Sequence, residues 1–132
     1  MTIKYKYLLI ACIALALVDA LGSIASRLLN FNYLFIGTIS IAVYFSLGTA
    51  LSKLEGIKTS VWLTTALGVF DATIGWSISI ALNANTGYVN KYPSLQNWIS
   101  TVLFVALFGA VMGYMSGAIT RFYQRSSNHK TL

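Results

Sequence analysis

The chain has 132 residues, 57% of them apolar and only 9% charged, against roughly a quarter charged in an average soluble domain. That length allows one domain, residues 1–132, and that composition excludes a chain solvated mainly by water. The net charge of +6 comes from basic residues scattered among short connections with no patch or stripe, so nucleic acid is not an expected partner.

Four segments are apolar over the roughly 20 residues that a helix needs to cross a hydrocarbon core: 7–26, 33–52, 60–82 and 98–120. A membrane barrel needs at least eight alternating strands, and irregular backbone is not tolerated in lipid. The expected fold class is therefore an all-α integral membrane protein, a four-transmembrane-helix up-down bundle with the bilayer as its first partner.

The first span begins after Lys4 and Lys6 and is read as retained rather than as a cleaved signal, because Asp19 interrupts its apolar run. Cys12, the single cysteine, excludes an internal disulfide and reads as a small packing residue. Steps of three, four and seven from Asp19 give Cys12, Ala16, Gly22, Ser23 and Ser26, a small and polar helix face. Arg27 lies eight residues beyond, about 12 Å along the helix, too far to pair with Asp19. A tight turn with Asn30 and Asn32 leads into the second span, which contains Tyr44. The charged segment 53–58, with Gly56 as a breaker, reads as the next loop.

The third span repeats the pattern of the first. Asp71 shares its face with Thr64, Gly68 and Gly75, and Gly68-Val69-Phe70-Asp71-Ala72 resembles Ala16-Leu17-Val18-Asp19-Ala20, each followed by Gly and Ser. Residues 48–53 resemble residues 116–121 more weakly, which suggests a duplicated two-helix hairpin and places the two Asp near a pseudo-twofold axis. Trp76 reads as a packing or interfacial residue. The connection 83–97 is the longest and holds Pro93, the only proline. The fourth span carries Gly109, Gly113 and Gly117, a doubled GxxxG suited to close helix packing within the chain or between copies, and Tyr114. Tyr44 and Tyr114 both need hydrogen-bond partners inside the bilayer, and either is able to bond an Asp.

Basic residues set the orientation: Lys4, Lys6, Lys53, Lys58, Arg121, Arg125 and Lys130 lie on one side, with only Arg27 and Lys91 on the other. Both termini are therefore expected in the cytoplasm. Tyr5, Tyr7, Trp62, Phe122 and Tyr123 fall in the inner aromatic belt, and Phe31, Tyr33, Tyr88, Tyr92 and Trp98 in the outer one. With no long extramembrane domain or organelle signal, the default location is a bacterial plasma membrane.

Two of the three acidic residues, Asp19 and Asp71, thus lie inside spans, where a carboxylate costs about 2.5–3.5 kcal/mol. Hydrogen-bonding glue returns only about 0.6 kcal/mol on average, which favours a functional role. Asp19 and Asp71 are the candidate ion- or proton-binding residues, with Ser23, Ser26, Thr64, Gly68 and Gly75 as their supporting faces. No nucleophile elbow, phosphate loop or HExxH is present, and the single histidine, His129, lies in a polar tail, so no enzyme, metal or cofactor is expected. The leading expectation is a small transporter or channel-like protein handling a proton, cation or small cationic solute, assembled as a homo-oligomer. The alternative is an accessory subunit of a larger membrane complex. Small multidrug exporters are similar in design, with four short helices, an intramembrane carboxylate and dimeric assembly. They use Glu in the first helix, and their signature motifs are not evident here.

Overall fold

The computed structural model describes residues 2–87 and 93–128. Tyr88, Lys91, Tyr92, His129 and Lys130, which carry parts of the belt, charge and tail readings above, lie outside them. The described residues form four long helices and no strand: α1 (Ile3–Leu28), α2 (Tyr33–Glu55, opening on a 3₁₀ turn at Tyr33–Ile36), α3 (Ile57–Ala81) and α4 (Leu95–Asn128). All four are long and apolar enough to cross a membrane.

Seven of the eight helix ends lie at or beyond the apolar windows 7–26, 33–52, 60–82 and 98–120, because backbone bonding continues through polar turns until a breaker stops it; only α3 ends one residue short. The largest correction concerns residues 53–58. Lys53 to Glu55 complete α2 and Ile57 begins α3, so the expected loop reduces to Gly56. Its φ of 92° lies in the region that glycine enters without steric cost.

Contacts between helix ends show the path of the chain. Lys4 Nζ pairs with Glu55 Oε2 at 2.8 Å, joining the start of α1 to the end of α2. The Ser60 hydroxyl near the start of α3 bonds the Gly113 carbonyl towards the end of α4. Arg27 Nη1 reaches the Leu82 carbonyl at 3.4 Å at the opposite end, away from Asp19. One end of the bundle thus carries Lys53, Gly56 and Arg121 (the basic end), and the other Asn30, Asn32 and Asn85 (the asparagine end). Helices α2, α3 and α4 pack against one another, while α1 lies against α2 and α3 and does not reach α4. A pseudo-twofold relating α1–α2 to α3–α4 would make the α2–α3 and α1–α4 contacts equivalent, so the packing does not follow that symmetry.

Leu15, Leu47, Leu51, Leu67, Tyr44 and Met112 form the core. Leu21, Phe35, Trp62 and Phe104 are each about two-thirds exposed, an apolar exterior far beyond the isolated patches of water-soluble monomers. The glycine face of α4 is filled from within the chain. A Cβ on Gly109 would collide with the Thr64 carbonyl, and one on Gly113 would strike Thr64 Oγ1 and approach Val61 Cα to 2.9 Å. Gly117 faces Ile57 in the same way. Helix α3 occupies the face that a second copy would otherwise use.

Candidate functional site: a convergent carboxyl pair

Asp19 and Asp71 come from helices that meet in the half of the bundle towards the asparagine end, roughly 14 Å below the end of α1 at 1.5 Å per residue. Gly75 is the point of convergence. A Cβ placed there would collide with Asp19 Oδ2 and lie 2.9 Å from Asp71 Oδ1, so glycine leaves the space into which both carboxyls project. Only Gly75 of the supporting face touches the acids this way; Gly68 lets α4 approach at Val105 and Ala106, and Thr64 bonds the Ser60 carbonyl nearer the basic end.

Each acid is held by a phenol from α2. Tyr33 donates to Asp19 Oδ1 at 2.6 Å, and Tyr44 to Asp71 Oδ2 at 2.9 Å. Eleven residues, about 16 Å of helix, separate the two tyrosines, so they approach the acids from opposite ends. Tyr33 is also fixed through its backbone, its amide donating to the Asn85 carbonyl at 2.8 Å. Tyr44 is 1% exposed and packs edge-on against Phe108. Tyr114, the other tyrosine able to serve an Asp, is 61% exposed and makes no such bond. Tyr33 escapes a reading of the sequence because a tyrosine at a span end fits an aromatic belt equally well.

The remaining oxygens differ from these. Asp19 is 4% exposed, and its Oδ2 is buried with no hydrogen-bond partner. Among the described residues no basic side chain pairs with either acid; the one ion pair is Lys4–Glu55. Ser23 and Ser26, on the Asp19 face, are fully buried but donate to the carbonyls of Asp19 and Ser23 rather than to a carboxyl.

Asp71 also opens a π turn, Asp71–Gly75, inside α3. Such single-turn bulges recur at functional sites. Here the Trp76 amide donates to the carbonyls of Asp71 and Thr73, and the Ala72 carbonyl accepts the Trp98 indole N–H at 3.1 Å. Trp76 and Trp98 stack edge to face at 6.1 Å. The turn accounts for an offset between the two acid helices. Gly22 and Ser26 follow Asp19 by three and seven residues, whereas Gly75 and Ser79 follow Asp71 by four and eight. With that one-residue shift the helices end alike. Ser26 and Ser79 donate three residues back, and their carbonyls accept the amides of Phe31 and Ala84. Asn30 and Asn83 then both adopt positive φ.

Two carboxylates facing each other in a low-dielectric interior repel, and a proton or small cation between them removes the repulsion. The two oxygens left free by the phenols are too few for the six to eight ligands of a calcium cage. No family model, no curated protein and no solved structure matches this chain.

Proposed function

We propose that the chain is a four-pass integral membrane protein, an up-down bundle whose Asp19–Asp71 pair binds a proton or small cation within the bilayer and passes it between the two sides. The observation that carries this reading is the convergence of two acids from separate helices on Gly75, with Asp19 Oδ2 buried and unpartnered. Acids retained only as glue have no need to share one space without a donor between them. The tyrosines at either side of the pair suit a site approached from both ends. The role is one of binding and passage, without covalent chemistry.

The distribution of basic residues supports cytoplasmic termini, and a bacterial plasma membrane is the default location. The offset repeat of α1 and α3 supports descent from a duplicated hairpin whose copies have since packed unequally. Both acids and both phenols belong to one chain, so no second copy is needed to supply any of these four side chains. A homo-oligomer or larger complex would assemble through faces other than the glycine zipper.

The test is proton and cation flux in liposomes containing the wild-type chain, Asp19→Asn or Asp71→Asn, with folding and assembly size checked for each. Flux in the wild type and its loss in either folded variant is the expected result. No flux from any form under broad ionic conditions would replace this reading with that of an accessory subunit.

A further inference from the structure

The two carboxyl groups that meet at Gly75 are supplied with too few donors. Asp19 Oδ1 accepts from Tyr33 at 2.6 Å and Asp71 Oδ2 from Tyr44 at 2.9 Å. Asp19 Oδ2 and Asp71 Oδ1 face the one point that a Cβ on Gly75 would occupy, and no donor among the described residues bonds either. An ionised carboxylate only accepts, so two of them leave both oxygens unpartnered and set like charges side by side. One proton between the oxygens removes both faults, because the acid that carries it donates and the other accepts. Each of the four oxygens then takes part in a hydrogen bond. A second proton would have to point at an oxygen that already accepts from a phenol.

The same surroundings make a poor shell for a metal cation. Magnesium takes six oxygens in near-ideal octahedral geometry, and calcium six to eight. The carbonyls of the π turn are already engaged: those of Asp71 and Thr73 accept the Trp76 amide, and that of Ala72 accepts the Trp98 indole. The hydroxyls of Ser23 and Ser26 are held against carbonyls of α1. Asp19 Oδ2 is closed to solvent, so water does not complete a shell around an ion there. A proton needs no shell and no more room than a hydrogen bond, and it reaches the enclosed oxygen by transfer from Asp71, which is only half-buried. The other titratable groups beside the pair are Tyr33 and Tyr44 of α2 and Cys12 of α1, which acts on Tyr44. Helix α4 turns Trp98 and Phe108 towards this region, neither of which titrates.

We propose that Asp19 Oδ2 and Asp71 Oδ1 hold a single proton between them, so that the resting pair carries one negative charge and the ligand of the site is a proton rather than a metal cation. The inference rests on the reading of the two acids as a binding pair and assigns its ligand. An acid facing a carboxylate forms a short hydrogen bond, about 2.5–2.7 Å, and its proton belongs to the pair rather than to either residue.

Asp19 and Asp71 are the only aspartates in the chain, so aspartate isotope-labelled at the side-chain carboxyl reports this pair alone. The experiment records infrared spectra of the labelled full chain in phosphatidylcholine nanodiscs near neutral pH, in sodium and in choline buffers. The wild type is expected to show half of the label as acid and half as carboxylate, alike in both salts. In Asp19→Asn and Asp71→Asn the amide N–H takes the place of the shared proton, so the remaining acid should appear wholly as carboxylate. Two carboxylates that respond to sodium would give the site to a cation and overturn the proposal. Two carboxylates indifferent to sodium, two acids, or an acid band that persists in both variants would overturn it as well. The wild-type spectra decide alone if a variant does not fold. Flux plays no part in this measurement, so a shared proton in a chain that moves none would uphold this inference and remove the passage proposed for the pair.

Discussion

The two halves of the bundle bury polar groups in different ways. Towards the basic end, the Ser60 hydroxyl reaches the carbonyls of Gly48 at 2.9 Å and Gly113 at 3.0 Å, joining α2, α3 and α4 at one atom. Thr64, Ser116 and Thr120 around it bond carbonyls of their own helices. Backbone thus satisfies these hydroxyls, and their small size with that of the glycines allows the helices to approach closely. Towards the asparagine end Ser23, Ser26 and Ser79 are satisfied by backbone in the same way, but the two acids are held by side chains, two carboxyl oxygens are left over, and α3 departs from α-helical bonding beside them. Burial of a polar group is common to both halves; two acids converging on one space belong only to the second.

The strongest way to break this contrast is to attack the close-packed half. Gly113→Ala would press a methyl group against Thr64 Oγ1 and against α3 backbone at Ser60 and Val61, atoms that cannot rotate away. A loss of about 1–3 kcal/mol is expected, read as the shift in reversible detergent unfolding. Gly75→Ala should cost less, because its methyl group meets the tips of two carboxyl side chains rather than backbone. Removing the obstacle in Asp19→Ala should recover much of that cost. A double-mutant cycle should therefore give a coupling of about 0.5–3 kcal/mol, and additive effects would mean that Gly75 and Asp19 do not share the space. Ser60→Ala deletes one hydroxyl, whose single proton is shared between carbonyls of two neighbouring helices, and should cost about 1 kcal/mol, within the range for polar contacts in membrane bundles.

The number of spans and the inward direction of the acid faces were legible because both depend on local pattern: about 20 apolar residues, and small residues at helical spacing. Gly75 was legible on the same ground. The π turn was not. A one-residue excess between Asp71 and Gly75 becomes visible only beside Asp19 and Gly22, and its bonding depends on Trp98, a residue of α4 far along the chain. Nor does local pattern assign Tyr33 to Asp19, since that pairing follows from how the first turn of α2 meets α1. The segment 53–58 misled because charge and glycine usually mark a loop, whereas Gly56 alone turns the chain.

The smallest effect on the fold should come from Asp71→Asn, and that makes it the sharpest test of the contrast. The amide oxygen still accepts from Tyr44, the volume is almost unchanged, and one source of repulsion beside Asp19 is removed. Stability should change by less than about 0.5 kcal/mol, below the mean for a membrane hydrogen bond, while liposome flux is lost. In the basic half, stability and activity should fall together in Gly113→Ala and Ser60→Ala, because these two residues act by holding helices in place. Towards the asparagine end the two should separate. If Asp71→Asn instead destabilises the bundle as much as Ser60→Ala and leaves flux in proportion to folded protein, both halves obey one rule and the carboxyl pair is packing.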